Sequence, residues 1–600
     1  MATIPRIGYH HGVKAAIHVL RGVLLAALIL SPFACGDDPV STSLPASTSD
    51  DYTPTLLLSR FTPEAVVGRS LNDAYVGGRM VFKYDGMAWK PIAFPPIYSV
   101  ERLWQTIDGT LWAFSDDFFR FDGETWSRQD CPWAQDAYVA YNGELFAFQQ
   151  YQEPAGLAHW FDGRKWHSES PAGADYNMIA IGGSGPDNVY IVGDYGFMAH
   201  FDGANWTSQF VDSSVTFRDV AVGKGGNVFM IDSGNVLKWD GTTLQTIFDR
   251  NGPYASRIVS SPDGALYAVI EDYSSDTFEA VKWDAGAWTT IGTSNQRIRD
   301  ICVIDDQSVM IVDNTGVKVW ADASSEETLT PTPSNKYYFS ALWATQEHGV
   351  YAAGQAVIRY YNGTVTDLKK EAASSSSVYA IHGRNPSDLF AVGYDLILHY
   401  DGEGWKHEYG ANGRDVVAVQ ATENVVAAIA YPFDILERID GAWQVAHKAT
   451  GSYLYALSGW NNGMVAATSS GILVRGTGGW NAIESPGVSD ITDVWADGPD
   501  NIYVCAYDAS EILHFNGQRW NTIPFQGAAA GQGLARSITS SGGDIFVSTQ
   551  GGTIMHYTNQ EWSVWPRYTS DSYLLSAVSS SEVYSAGPNG LMLYKRPGRF

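Results

Sequence analysis

An all-β chain folded as two tandem β-propellers, seven four-stranded blades in each, is what the sequence predicts, and three observations predict it. A hairpin signature, Asp-Gly followed by an aromatic residue, returns at spacings of 37 to 44 residues along nearly all of the 600-residue chain. The composition suits short aromatic strands joined by glycine turns, with 60 Gly, 21 Trp, 33 Tyr and 25 Phe against only 17% charged residues. The third observation is negative. Helical repeats of this length need amphipathic 3.6-residue periodicity, which is missing, whereas several short strands per repeat are the mark of propeller blades.

Taken in chain order, residues 1–34 read as an export signal: a basic stretch to Arg21, the apolar run GVLLAALIL at 22–30, then SPFAC. The apolar run is too short for a membrane span. Ala34-Cys35-Gly36 resembles the lipobox of bacterial lipoproteins, with Pro32 standing where that family prefers Leu, Val or Ile. The resemblance implies that Cys35 is lipidated and holds the mature chain at a membrane surface, in the bacterial cell envelope. Asp37 resembles the inner-membrane retention signal of some bacteria, which leaves the choice of membrane open. Residues 35–53 are polar and rich in Ser and Pro, a composition fit for a tether.

The first propeller is expected over 54–325. KYDGMAW, RFDGETW, WFDGRKW and HFDGANW place Asp85, Asp122, Asp162 and Asp202 at successive turns; looser copies follow at Asp240, Asp284 and Asp322. Residues 326–335 lack alternation, carry two prolines and read as a linker. The second propeller is expected over 336–600, with turns at Asn362, Asp401, Asp440 and Asn516, further copies marked by Trp480 and Trp562, and a last unit that ends in LMLYKRPGRF. Fourteen units exceed the usual four to eight blades of one ring, so two rings are expected, seven and seven, with six and eight the alternative. The seventh unit ends at VKVWAD with no evident fourth strand. TLLLSRF, 55–61, is therefore expected to complete that blade and remove an exposed edge.

Within one unit, VYAIHG is the inner strand, LFAVG the second, ILHY the third and WKHEY the outermost, with Asp401-Gly402 turning the last hairpin. Asn replaces Asp at 362 and 516, so turn geometry persists where charge does not, which argues against calcium at these turns. A large aromatic at one place in nearly every unit (Trp89, Trp126, Trp166, Trp206, Trp405, Trp520) is what packing between sheets requires. Lys83, Arg120, His200, Lys238, Lys282, His399 and Arg438 stand two before the turn and are read as structural contacts on one strand face.

This hairpin resembles the Asp-box of sialidase-type propellers, which also joins the third and fourth strands, although the Ser or Thr two before the Asp is here basic or aromatic. Units such as SGPDNVYIVGDYGFMAHFDGANW look like the repeats of secreted and lipid-anchored bacterial propeller proteins. That resemblance implies fold and location, not an activity.

A net charge of −27 disfavours nucleic acid and anionic lipid as partners. Cys131, Cys302 and Cys505 are an odd, widely spaced set that reads as small buried residues, not as disulfides or a zinc site. No linear catalytic, metal or cofactor motif is present, and the arginine triad, Tyr and Glu of a sialidase are not nominated by any segment. Function is expected in loops that break the repeat. Their aromatic and basic residues are Trp133, Tyr151, Tyr254, Tyr273, Tyr431, Phe433, Trp565, Arg567 and Tyr568. The resulting expectation is a monomeric, non-enzymatic scaffold without cofactor, bound to the membrane only by its anchor and recognising an envelope protein or peptide. The alternative is a surface lectin, or a glycoside hydrolase or polysaccharide lyase, acting on an extracellular glycan.

Overall fold

The structure, a computed structural model, describes residues 53–596 apart from short internal stretches, the longest being 329–337 and 369–376. Cys35 and Tyr151 lie outside the described residues. Fourteen four-stranded antiparallel sheets follow one another, here blades 1 to 14 with strands a to d from the inside outwards. In blade 9 these are Val378–Asn385, Asp388–Gly393, Leu396–Tyr400 and Trp405–Tyr409. Strand b is the most apolar of the four, as Leu145–Gln149 in blade 3 and Val426–Ala430 in blade 10 show by being buried along their whole length. Clusters such as Phe390, Val392, Val419, Ala428, Leu436 and Trp443 then fill the space between successive sheets. Among the described residues no helix is long and apolar enough to cross a membrane.

The chain divides into two compact units, Leu58–Lys336 with Pro566–Ser570, and Tyr337–Trp565 with Asp571–Phe600 and the N-terminal residues to Leu57. Each unit holds a closed seven-bladed ring. In the first, strand a of blade 1, Ala65–Ser70, packs beside strand a of blade 7, Ile298–Val303. The Val66 N–H donates to Asp300 Oδ2 at 2.9 Å across that seam. In the second, Phe339–Thr345 of blade 8 packs beside Leu574–Ser579 of blade 14, and the Ala344 N–H donates to Ser576 Oγ at 3.2 Å.

One sequence expectation is overturned. The N-terminal strand, Thr53–Ser59, is the outer strand of blade 14, beside Gly590–Lys595, and not of blade 7. Blade 7 has its own strand d, Ser325–Thr328, formed by residues that read as linker. An outermost strand needs no apolar alternation, so SEET carried no strand signal; its hairpin pairs Asp322 with Ser325. The N-terminal strand instead covers the edge left open by the last unit.

The recurring Asp acts through its side chain as much as through the turn it occupies. Asp401 Oδ1 accepts the N–H groups of Glu403 and Gly404 at 3.1 Å each, and Asp122 Oδ1 those of Glu124 and Thr125 at 2.8 and 2.7 Å. Asp85, Asp162 and Asp202 do the same. Asn516 Oδ1 makes the same pair at 3.1 and 3.0 Å, which is why Asn serves there. These are four-residue loops in which Gly alone takes positive φ, as at Gly402 with φ 93°. Asp440-Gly441 differs, both residues having positive φ in a two-residue hairpin.

The repeated Trp latches neighbouring blades. Trp405 Nε1 of blade 9 donates to the Leu368 carbonyl of blade 8 at 2.8 Å, Trp288 of blade 6 to Ile247 of blade 5 at 3.0 Å, and Trp562 of blade 13 to Pro524 of blade 12 at 3.0 Å. Trp126 and Trp166 make the same bond to Ala93 and Asp130. The basic residue before the turn lies over the aromatic of strand b. His399 stacks on Phe390 at 4.5 Å, His200 on Tyr190 at 4.4 Å, and Lys83 sits 5.3 Å over Tyr75.

A second repeated device carries no signal in the turn motif. From blade 4 to blade 13 the pairing of strand a with strand b slips near its start, a β-bulge that turns one side chain out at the loop face. In blades 5, 7 and 12 the next residue is Asp219, Asp300 or Asp493, whose carboxylate reaches the neighbouring inner strand.

Candidate aromatic face of the second ring

Connections from strand b to c and from strand d to the next blade open on one side of a propeller. In the second ring this side gathers aromatic side chains from blades 9, 10 and 11. Tyr379 occupies the bulge of blade 9 and Tyr394 its b–c loop. Tyr431 and Phe433 belong to the b–c loop of blade 10, and Tyr453 and Tyr455 stand at the entry to blade 11. Tyr453 lies between two partners: its ring is 5.8 Å from Tyr431 at 14° and 5.5 Å from Phe433 at 18°. Tyr394, Phe433 and Tyr453 are 41%, 36% and 46% exposed, so the stack is a surface, not a core.

The backbone holds these loops in register. The Tyr431 N–H donates to the Asp415 carbonyl at 2.8 Å, Leu454 N–H to Pro432 at 3.0 Å and Ala449 N–H to Phe433 at 2.8 Å. Tyr394 forms a β-bridge with Asp415, and Asp395 N–H donates to the Arg414 carbonyl at 2.9 Å.

Charge on this face is uneven. Arg414 Nη1 contacts Asp434 Oδ2 at 2.8 Å, and Lys448 Nζ lies 3.9 Å from the same carboxylate. Among the described residues Asp415 has no such neighbour; burial raises its pKa, and a hydrogen bond from Tyr379 lowers it only in part. The Oδ1 atoms of Asp415 and Asp395 are both buried without a hydrogen-bond partner. Burial, then the Asp415 charge, pushes Tyr379 up to about 12. Tyr455 is likewise pushed up to about 12, by burial and then by Tyr431, Asp490 and Tyr453.

The other loop residues singled out in the sequence are scattered or committed. In the first ring Trp133 is exposed by itself, while Tyr254 and Tyr273 are brought together, stacked at 5.7 Å. The Tyr254 hydroxyl donates to Glu271 Oε2 at 2.9 Å, and Arg297 Nε lies 3.2 Å from Oε1 of the same buried carboxylate. Burial opposes the charge of Glu271, but hydrogen bonds from Tyr273, Ser256 and Tyr254 and the Arg297 guanidinium leave its pKa lowered. The pair thus closes over a satisfied carboxylate. A groove of about 380 Å³ between blades 5 and 6, lined by Phe248, Trp288, Asp272 and Glu279 among others, uses a Trp already latched to Ile247 and an Asp already bound by Ser274 and Ser275.

Trp565 corrects the sequence reading. It ends strand d of blade 13, Glu561–Trp565, is only 3% exposed, and packs 5.5 Å from Phe546 and 5.2 Å from Tyr594. EWSVW alternates, and its last residue faces inwards. Arg567 is also structural: its Nη2 donates to the Ile97 carbonyl at 2.8 Å, its Nε to Thr569 at 3.0 Å, and its guanidinium lies 5.1 Å over Phe94. Tyr568 beside it is half-buried. Tyr379, Tyr394 and Tyr453 were missed in the sequence; the visible signal was a Tyr next to the first residue of a strand or beside a Gly at its end, in VYAIHG, VGYD and GSYLYA.

The three cysteines among the described residues are free; burial pushes Cys302 and Cys505 up to about 12 and raises Cys131 further. Among the described residues no three His, Cys, Asp or Glu side chains are grouped to hold a metal ion.

No protein-family model matches the chain, and no curated protein matches it. Solved structures do. PorZ of Porphyromonas gingivalis, described as an essential bacterial surface component of the type-IX secretion system, is 12% identical with a TM-score of 0.60, the alignment covering 90% of this chain and 87% of that one. A GH74 enzyme of Niastella koreensis is 12% identical with a TM-score of 0.49, covering 92% and 100%. The extracellular domain of a putative hybrid two-component system of B. thetaiotaomicron is 12% identical with a TM-score of 0.36, covering 91% and 83%. At this identity the likeness to PorZ is one of fold.

Proposed function

We propose that this chain is a non-enzymatic scaffold of the bacterial cell envelope, exported and held through Cys35, that binds a protein or peptide partner on the loop face of its second ring. The observation that carries the reading is the exposed Tyr431–Tyr453–Phe433 stack with Tyr394 beside it, set on three successive blades. Rigid exposed aromatics on an ordered frame are the anchors on which protein interfaces concentrate their binding energy. Export and lipidation rest on the signal at 1–34 and the lipobox-like Ala34-Cys35-Gly36. A shared fold with PorZ, a surface component of a secretion system, is in keeping with such a role.

A lectin built on a repeat would present the same aromatic in successive blades. Here the equivalent positions differ: the bulge residue is Tyr379 in blade 9, Val417 in blade 10 and Tyr455 in blade 11. The test uses unlipidated residues 36–600 on a glycan and polysaccharide array and, in parallel, against a displayed random-peptide library, with heat-denatured protein as control. A blank array, with peptides recovered whose binding is lost in Tyr453→Ala, is expected. Fold-dependent glycan binding lost in the same variant would replace the scaffold by a lectin.

A further inference from the structure

We propose that the partner enters this face with a lysine or arginine side chain, seated among Tyr379, Tyr394 and Tyr431 near the carboxylate of Asp415. The inference rests on the partner-binding reading above and names the chemistry of the segment bound.

Three observations converge. The first is charge: among the described residues the rim cations Arg414 and Lys448 are both drawn to the single carboxylate of Asp434. Asp415 and Asp395 are left without a cation among the described residues, each with one oxygen that accepts no hydrogen bond. The second is the wall around Asp415. Tyr394 forms a β-bridge with it, the Tyr431 N–H donates to its carbonyl at 2.8 Å, and burial, then the Asp415 charge, raises the pKa of Tyr379. Tyrosine faces carry negative potential, so an ammonium or guanidinium laid against them gains from the rings and from the carboxylate together. The third is the sign of the whole chain, −27, which draws a basic segment and repels an acidic one. A neutral apolar segment would use the Tyr453 stack but leave the Asp415 charge uncompensated in a partly dry setting, where an unpaired charge is most costly.

The experiment is selection of a displayed random-peptide library on residues 36–600, followed by affinity measurement of the recovered peptides, each made also with norleucine or citrulline in place of its Lys or Arg. Enriched peptides are expected to share a Lys or Arg, to weaken about tenfold on that replacement, and to weaken by a similar factor against Asp415→Asn. Asp500→Asn, an exposed carboxylate on the opposite face, separates local from bulk charge and is expected to bind as wild type. Should Asp415→Asn fold poorly, Tyr394→Ala, an exposed position, takes its place with the same expectation. Recovered peptides with no shared cation, or basic peptides that bind wild type, Asp415→Asn and Tyr394→Ala equally, would overturn the inference and leave the partner reading standing. Recovery of no peptide would overturn both.

Discussion

Replacing Asp493 by Asn removes a carboxylate that joins two inner strands of the second ring, and the consequence depends on pH with a definite sign. Oδ1 accepts the Val494 N–H at 2.9 Å, and Oδ2 accepts the Ile538 N–H at 3.0 Å and the Ser537 hydroxyl at 2.8 Å. Burial nevertheless dominates and raises the pKa from 3.8 to about 6. A raised acid binds its proton more tightly folded than unfolded, so its contribution is full below about 3.8 and is lost as pH rises through about 6. Two pKa units correspond to about 3 kcal/mol. Asn does not titrate. The variant's melting temperature relative to wild type should therefore move in the variant's favour by about 5 to 10 °C between pH 4 and pH 7, for a ring of this size. Scanning calorimetry or circular dichroism at several pH values reads the difference. A gap that stays constant across that range would refute the argument that burial, and not the three hydrogen bonds, governs this carboxylate.

Trp565→Ala should cost about 3 to 5 kcal/mol, as loss of a buried aromatic does, whereas Tyr453→Ala and Trp133→Ala should stay within about 0.5 kcal/mol of wild type by denaturant titration. Asp401→Ala should lower the melting temperature by freeing two backbone N–H groups, while Asp401→Asn should leave it nearly unchanged, because Asn516 already serves the same turn. Cys302 and Cys505, pushed up to about 12, should resist iodoacetamide at pH 8 in the folded chain and react once denatured, as mass spectrometry would show.

The blade count was legible because the c–d hairpin advertises itself: a Gly at positive φ, an Asp or Asn capping two N–H groups, and a latching Trp need particular residue types at fixed spacing. The closing strands were not legible. An outermost strand has one neighbour and no covering sheet, so Ser325–Thr328 could be wholly polar, and nothing local says which ring the strand Thr53–Ser59 joins. The inner-strand carboxylates had a signal that could have been read: FRDV, IRDI and ITDV place Asp219, Asp300 and Asp493 at one position of three units. The aromatic face was half legible. Tyr431 and Phe433 stand in a loop that breaks the repeat, but their partner Tyr453 comes from the entry to the next blade, and only the packing of successive sheets brings it against them.

The same three blades that carry the aromatic face depart from the repeat where it ties blades together. In blades 2, 3, 6, 9 and 13 the Trp indole meets a backbone carbonyl of the preceding blade. Trp443 of blade 10 instead donates to Glu408 of blade 9 at 3.0 Å, and Trp480 of blade 11 to Glu437 of blade 10 at 2.7 Å. Each carboxylate also receives two nitrogens of an arginine, Arg438 on Glu408 at 2.8 and 2.7 Å and Arg475 on Glu437 at 2.8 and 2.9 Å. Paired donors of this kind fix direction as well as distance, which one N–H on a carbonyl does not. His399 extends the first network to Asp388, with a carboxylate 2.9 Å from Nδ1 and 2.8 Å from Nε2. A stack shared between loops of adjacent blades keeps its geometry only if the blades beneath it cannot slide, and ionic latches between blades 9, 10 and 11 restrain that motion. Rigid support under exposed aromatics is what a binding face requires and what a loop merely folded over its own blade does not.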